Sequence, residues 1–233
     1  MPAIEVEDLQ FSFGAVHAVR GVSIEVERGS MLTIFGPNGA GKTTFLKVLA
    51  GLLRPFEGTV RVEGVEARRD PAALRRLIGV ISHHPYLYPQ LSGRENLEFY
   101  GRMYGLKDPR SAALRMLDDM GLTSVGNREV SAYSRGMQQR LAVARALLHQ
   151  PRVLLLDEPF TGLDHQARER LEALLGTLRD GEKTVVMTTH DIDEGLSLSD
   201  RVMVLAAGRK VLDAAAPGLD HASFLAQYRD AVA

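Results

Sequence analysis

Residues 31–51 read MLTIFGPNGAGKTTFLKVLAG, a glycine-rich segment enclosed between an apolar run and a helical pattern. MLTIF predicts a buried strand because it is short and apolar, and FLKVLAG predicts a helix. The loop at 36–44 matches G-x-x-x-x-G-K-[ST] in the strand–loop–helix context that this pattern requires. The segment therefore predicts an α/β fold with a phosphate-binding loop at the carboxyl end of a strand.

The composition of this loop suits an oligophosphate. Its glycines permit turns that point successive N–H groups inward, and the N-terminus of the following helix adds partial positive charge. Lys42 is expected to bridge the β- and γ-phosphates, and the Thr43 hydroxyl is expected to ligate Mg²⁺. A chance glycine turn is the alternative, and the strand–loop–helix context argues against it. The predicted nucleotide-binding residues of the loop are Gly36, Pro37, Asn38, Gly39, Ala40, Gly41, Lys42, Thr43 and Thr44.

Strand-like and helical patterns alternate along most of the chain, which predicts a mostly parallel core sheet with helices on its faces. Three runs, IEVEDL, VSIEVE and TVRVEG, instead alternate apolar with charged residues, as in a half-exposed antiparallel sheet. The other strand-like runs are MLTIF, LIGVI, RVLLLD, KTVVMTT and RVMVLA. The predicted fold class is therefore an α/β phosphate-loop fold with an N-terminal antiparallel β part.

A helical insertion is expected between Ile81 and Arg152, because that stretch contains no convincing strand. SGRE at 92–95 is a capping box, and Asp108 followed by Pro109 marks another helix start. DAAAPG at 213–218 is expected to open a C-terminal helix. The predicted division is a nucleotide-binding core with the antiparallel part (1–82 and 151–216), a helical subdomain (83–150) and a C-terminal helix (217–233).

The overall composition excludes several classes of function. The net charge of −1 on 233 residues offers no polyanion-binding surface, so nucleic acid is not an expected partner. The absence of cysteine excludes disulfides, thiolate metal sites and cysteine nucleophiles. The acidic N-terminus does not resemble a secretory signal, and no apolar run approaches the roughly 20 residues that span a bilayer. A cytoplasmic protein without a membrane span is expected.

Two further segments place carboxylates and a histidine at strand ends. VLLLDEP at 153–159 predicts a buried strand whose Asp157 holds magnesium while Glu158 faces the attacking water. Taken alone, two adjacent carboxylates could simply cap the next helix. His190 follows the run KTVVMTT and is expected at the same sheet edge as Gly36, near the γ-phosphate. A histidine with a purely structural role is the alternative.

These motifs together resemble the ATP-binding subunits of ABC transporters over nearly the whole chain. GPNGAGKTT is similar to Walker A, VLLLDE to Walker B with its catalytic glutamate, and TGLD at 161–164, ending at Asp164, to the D-loop. His190 is similar to the switch histidine. SAYSRGMQQR at 131–140 is similar to the family's signature motif, with Gly136 lying 21 residues before Asp157. The resemblance implies an ATPase that uses ATP and Mg²⁺, with Glu158, His190 and Lys42 as catalytic residues.

The resemblance also implies partners. In the family two subunits face each other head to tail, so that Ser134 and Gly136 of one copy would cover the γ-phosphate bound by the second copy. A simple helix cap at Ser134 is the alternative. A separate membrane permease is implied, which would place the protein on the cytoplasmic face of the cell membrane. The loop after Ile81, with His84, Tyr86 and Tyr88, and the segment 95–106 are the expected permease contacts.

Three positions depart from the family pattern. The signature reads YSRGM, which places Arg135 where glycine is usual; this side chain either adds a cation near the partner's phosphates or is simply solvated. His83 stands where a glutamine normally approaches the magnesium ion, either as a ligand on that side or as a packed histidine. Phe13 stands at the adenine-stacking position, where an aromatic face suffices; either Phe13 or Phe11 is expected in the core.

The transported compound is less constrained by the sequence. The segments 81–106, 132–140 and 157–164 resemble most the haem exporter ATPase of bacterial cytochrome c maturation. An ATPase of a multidrug or lipid exporter is the alternative. A soluble machine with the same fold, such as an iron–sulfur assembly ATPase, is a third possibility.

Overall fold

The computed structural model describes residues 2–82, 85–161, 165–180 and 183–232, and within these it contains two sheets and eight α-helices. The strands are β1 (Ile4–Phe13), β2 (Val16–Val26), β3 (Met31–Phe35), β4 (Glu57–Val62), β5 (Val65–Glu66), β6 (Ile78–Ser82), β7 (Val153–Asp157), β8 (Thr184–Thr188), β9 (Arg201–Ala206) and β10 (Arg209–Ala215). The helices are α1 (Lys42–Leu49), α2 (Pro71–Leu77), α3 (Gly93–Met103), α4 (Pro109–Asp119), α5 (Arg135–Leu147), α6 (His165–Asp180), α7 (Ile192–Leu198) and α8 (His221–Val232).

The core sheet has the strand order β10-β9-β3-β8-β7-β6, and only the edge pair β10–β9 is antiparallel. Every residue of β3, β7 and β8 is buried, because helices cover both faces and the strands are almost continuously apolar. Their registers bring the carboxyl ends together: Ile34 pairs with Thr188, and Asp157 pairs with Thr188. The predicted meeting of these strand ends at one edge is confirmed.

The second sheet is antiparallel, with the order β2-β1-β4-β5. Its inward residues, such as Ile4, Val6 and Val60, are buried beneath α1, as the apolar–charged alternation predicts. The hairpin of β1 and β2 is longer than the sequence runs indicated, because it continues to a turn between Phe13 and Val16. The amide of Arg20 on β2 donates to the Gly208 carbonyl, which ties this hairpin to the β9–β10 turn.

The helical subdomain begins its helices at the predicted caps. The Ser92 side chain accepts from the Glu95 amide, and the Ser92 amide donates to the Glu95 carboxylate, so the capping box is formed. Asp108 caps α4 and Ser134 caps α5 through their side-chain oxygens. An apolar stripe on α5 packs into a separate core with Leu97. The stripe consists of Met137, Leu141, Ala144 and Leu148.

The prediction that residues 213–218 open a helix is wrong. Residues 213–215 form the end of β10, and the C-terminal helix begins at His221. Ala207 and Gly208 both have positive φ and form a tight turn that returns the chain against β9. The Asp213 carboxylate contacts the Arg201 guanidinium of β9 at 2.6 Å. Pairing with β9 therefore holds this segment as a strand, although its alanines favour a helix. In the part of the chain that is described, no helix combines the length and apolarity needed to cross a bilayer.

Candidate functional site

The phosphate loop is built where two backbones approach the glycines closely. A Cβ on Gly36 would lie 2.1 Å from the Leu205 carbonyl oxygen, and one on Gly41 would lie 2.2 Å from the Ala18 carbonyl oxygen. Both glycines also have positive φ, 150° and 102° respectively. Glycine is therefore required at these two positions for space as well as for conformation. The cradle that results fits a phosphate chain, because its tip, 37–39, is exposed and the N-terminus of α1 opens behind it.

Lys42 carries the positive charge of this cradle. Its ammonium donates to the Gly36 carbonyl at 2.7 Å and to the Pro37 carbonyl at 3.2 Å, so the side chain lies along the loop. The residue is only 8% exposed. Burial lowers the pKa of the Lys42 ammonium, and the nearby carboxylates of Glu158 and Asp157 act in the opposite direction. A cation desolvated in this way is available to an anionic ligand.

Asp157 lies beside Thr43 at the floor of the site. The hydroxyls of Thr43 and Thr188 each donate to Asp157 Oδ1 at 2.9 Å, which fixes this buried carboxylate. One carboxylate and one hydroxyl suit Mg²⁺, which binds few protein ligands and takes others from nucleotide phosphates. Thr43 and Asp157 therefore fit the predicted magnesium site.

Glu158 and His190 are in direct contact. His190 Nδ1 lies 2.7 Å from Glu158 Oε2, and the imidazole is 71% exposed while the carboxylate is much less so. Glu158 has a φ of 52°, an uncommon conformation for this residue, and its amide donates to both oxygens of Thr188. Backbone strain of this kind persists where the surroundings enforce it, often at functional sites. The expectation that His190 joins the strand ends is confirmed, and its role toward phosphate stays a prediction.

A second set of charges holds the segment that follows His190. The Arg168 guanidinium on α6 contacts Asp191 at 3.5 Å and Glu194 at 3.2 Å, and it lies over the ring of Phe160. Burial raises the pKa of the Glu194 carboxyl to about 7, and Arg168 opposes this shift. α6 is thereby linked to both the Glu158 segment and the His190 segment.

The signature-like turn stands apart from the phosphate loop. Ser134 Oγ accepts from the Met137 amide at 3.3 Å, and no hydrogen bond within the described ranges joins Ser134 or Gly136 to residues 36–44. A Cβ on Gly136 would meet no atom within 4 Å, so the turn is open to its surroundings. Gly136 also borders a groove of about 610 Å³ between α4, α5 and α6. Gln139 Nε2 donates to the Pro159 carbonyl, which connects α5 to the Glu158 segment.

The remaining predicted residues divide into described and undescribed ones. Phe13 is 54% exposed at the hairpin end and packs edge-to-face on Phe11, which is buried, so the expectation that one of the pair is core is confirmed. Adenine stacking by Phe13 stays a prediction. His83, His84 and Asp164 lie outside the described residues.

The match to a known family decides the assignment of this set of motifs. Residues 19–161 match the ABC transporter family model, and they include the phosphate loop, the Asp157–Glu158 pair and the signature-like turn. The chain belongs to the ABC transporter family. It is an ATP-binding ATPase of the ABC type, coupled to transport.

Relatives of this ABC ATPase carry names from several transport systems. Daunorubicin resistance ATP-binding protein DrrA3 of Streptomyces coeruleorubidus is 39% identical over 93% of this chain and 69% of its own length. ABC transporter ATP-binding protein NatA of Bacillus subtilis is 37% identical over 84% of this chain and 81% of its own. Nod factor export ATP-binding protein I of Paraburkholderia xenovorans is 38% identical over 93% of this chain and 72% of its own.

Solved structures share the ABC fold. A dimeric ATP-binding cassette in a post-hydrolysis state, bound to ADP and Pi, has a TM-score of 0.83 and 29% identity, covering 93% of this chain and 100% of that one. An ATP-binding subunit of an ABC transporter has a TM-score of 0.88 and 28% identity, covering 98% and 99%. The α/β fold with its antiparallel sheet and helical subdomain is thus the ABC fold.

Several contributors to the ABC site were not identified from the sequence. Thr188 holds Asp157 and receives the Glu158 amide, although it was read only as the end of a strand. Ala18 and Gly208 press against the Gly41 side of the loop through their backbones. Because Ala18 and Gly208 act through backbone atoms, their residue types did not indicate this role. Thr188 could have been identified, since it ends a strand at the same sheet edge as Asp157.

Proposed function

We propose that the chain is the motor subunit of an exporter and works as two copies that enclose ATP between them. The observation that carries this proposal is the separation of two complete half-sites. The Lys42 cradle is formed and open at its tip, and the Ser134–Gly136 turn is formed and open on another element. A second copy in head-to-tail orientation would bring the two together, as two-fold symmetry allows. The dimeric arrangement of the related cassette bound to ADP and Pi supports this.

The residues of one cradle have distinct tasks in this proposal. Lys42 and the loop amides bind the phosphates, and Thr43 with Asp157 would hold Mg²⁺, which neutralises charge on the phosphate oxygens when bound. Glu158 orients the attacking water and accepts its proton, because its carboxylate stands at the strand end next to Asp157. His190 keeps the Glu158 carboxylate in place through the 2.7 Å contact and reaches toward the γ-phosphate.

The partner copy completes the anion site. The Ser134 hydroxyl, the amide of Gly136 and the N-terminus of the 13-residue helix α5 all offer partial positive charge. Arg135, at the first position of that helix, adds a further cation beside the phosphates or stays solvated. Bound ATP then links the two copies, because each nucleotide contacts both of them.

Replacing Gly136 by Asp is expected to lower ATPase activity at least tenfold without destabilising the isolated chain. The chain itself has room for the aspartate side chain, and the helix dipole stabilises a carboxylate in the first turn of α5. In the dimer the same carboxylate would face the partner's phosphates and repel them. Steady-state ATPase assays and thermal unfolding measure the two effects, with Gly176→Asp on α6 as the control that also has open space.

Mixing two inactive variants tests whether each site is shared. A dimer of one Gly136→Asp chain and one Lys42→Ala chain has both defects in one site and none in the other. An equimolar mixture should therefore recover activity, at most on the order of a quarter of the normal turnover if pairing is random. Activity no higher than the sum of the two separate variants would contradict the shared site.

The cargo and the membrane partner are inferred from the relatives. Their names refer to daunorubicin resistance and Nod factor export, which supports an exporter of an organic compound. None of the relatives reported above is named for haem or cytochrome c, so haem export stays a prediction from residue resemblance. A separate permease at the cytoplasmic face of the membrane would dock on exposed side chains beside the loop after β6. These side chains are Leu52, Tyr86, Tyr88 and Met103.

Affinity purification of the Glu158→Gln chain, held with Mg-ATP in detergent extracts of its own host, is expected to recover a multi-spanning membrane protein. Lys42→Ala is the matched control, since it should not hold the ATP-bound state. Recovery of soluble scaffold proteins by the first variant and not by the second would contradict the exporter and favour a soluble machine. The identity of the recovered permease would distinguish drug, lipid and haem export.

A further inference from the structure

Arg145 is a buried cation that has no carboxylate partner in the described part of the chain. It lies on α5, is 5% exposed, and donates through Nη2 to the Val80 carbonyl on β6. Its Nε makes no hydrogen bond with any described residue. Burial lowers the pKa of the guanidinium, so the fold keeps this charge at a cost. An apolar side chain would fill the same place without the cost of desolvating a charge. The presence of a buried cation here therefore calls for a functional explanation.

Two tyrosine rings surround the Arg145 guanidinium. Its central carbon lies 5.6 Å from the ring centre of Tyr86 and 5.3 Å from that of Tyr100, both within cation–π range. Tyr100, on α3, also donates its hydroxyl to the Tyr86 carbonyl. Tyr86 has a φ of 51° and is 40% exposed, so neither its backbone preference nor its own burial explains its position. We call Arg145 and Tyr100, closed around Tyr86, the Tyr86 clamp.

The clamp reaches the nucleotide site through a small shared cavity. Tyr86 lines a space of about 20 Å³ together with Thr43, Ser82 and Asp157. Ser82 pairs in the sheet with Asp157, and Val80, which accepts from Arg145, is two residues earlier on the same strand. Arg145 therefore contacts both the strand that borders Asp157 and the tyrosine that shares a cavity with it.

We propose that Arg145 and Tyr100 are positioning residues for ATP hydrolysis, because they clamp Tyr86 and β6 against the Thr43–Asp157 pair. The clamp fixes the helical subdomain to the floor of the nucleotide site, so that Asp157 and Thr43 keep their hydrogen-bonded arrangement when nucleotide binds. This inference rests on the proposed function of Thr43, Asp157 and Glu158. It adds the residues that hold them from outside the site.

Tyr100→Phe is the sharpest test, because it removes one hydroxyl and leaves the ring beside Arg145. We expect kcat for Mg-ATP to fall about three- to tenfold, with KM changed less than twofold, since the lost hydrogen bond acts on the arrangement of the site. Tyr104→Phe is the matched control. Tyr104 caps the C-terminal end of α3 and its ring stacks on His149 at 3.7 Å, and in the described residues no hydrogen bond joins its hydroxyl to the Tyr86 segment.

Tyr86→Leu, at an exposed position, removes the second ring and is expected to lower kcat to a similar extent. If both variants release the same segment, the double variant should be less impaired than the product of the two effects. Equal kcat in Tyr100→Phe and Tyr104→Phe, with only the melting temperature of the former reduced, would overturn the proposal. Full turnover in Glu158→Gln would instead show that the nucleotide site itself is wrongly assigned, independently of the clamp.

Discussion

Glu158→Gln is expected to lower ATP turnover by about 10²- to 10⁴-fold while leaving Mg-ATP binding intact, as expected for removal of a general base. The amide keeps the size of the side chain and can still accept a hydrogen bond from His190, so the 2.7 Å contact is preserved in part. Only the ability to take a proton from water is lost. The measurements are single-turnover hydrolysis of radiolabelled ATP and equilibrium binding of the same nucleotide.

The same variant should accumulate as an ATP-bound dimer, because closure is retained while hydrolysis is not. Sedimentation at several concentrations with Mg-ATP measures this, and Glu172→Gln on α6 is the control for removing one acidic charge outside the Asp157–Glu158 pair. A monomer at every concentration, even with a permease present, would contradict the shared-site dimer. Normal turnover would contradict Glu158 as the base.

The fold was predictable where local pattern and tertiary environment agree. β3, β7 and β8 are almost continuously apolar because they are covered on both faces, and this pattern makes the strands recognisable in the sequence. The caps Ser92, Asp108 and Ser134 were visible because capping depends on one side chain and its neighbours in sequence. β10 was missed since RKVLDAA has no strand pattern of its own and is held by pairing with β9.

The residues of the site were predictable where a single local motif determines their positions. Lys42 and Thr43 follow from the glycine loop, and Asp157 with Glu158 follow from a buried strand that ends in carboxylates. The direct contact between Glu158 and His190 depends on the order of strands in the sheet, which alternation alone does not specify. The Tyr86 clamp brings together the loop after β6, α3 and α5 by packing. It follows no sequence spacing from which it could be predicted.

Gly41→Ala is expected to lower the affinity for ATP by at least about 10²-fold, although it adds only one methyl group. At a φ of 102° an L-residue is strained by roughly 1–3 kcal/mol. The added carbon would also lie 2.2 Å from the Ala18 carbonyl oxygen, an overlap that cannot be relieved by a side-chain rotation. Ala18 belongs to β2, and the same strand is tied to the Gly208 turn through Arg20, so the loop must move instead.

That movement displaces the residues that bind phosphate. Gly41 caps α1 and immediately precedes Lys42, whose ammonium is held by the Gly36 and Pro37 carbonyls of the same loop. A shift of about 1 Å in such a preorganised site is enough to cost two orders of magnitude. Gly105→Ala is the control for a methyl group added at a positive-φ glycine outside the loop, because Gly105 has a φ of 73° with no atom within 4 Å of the added carbon. Titration with a fluorescent ATP analogue should show normal affinity for Gly105→Ala and a large loss for Gly41→Ala, and equal affinity in both would mean that the nucleotide does not sit in this cradle.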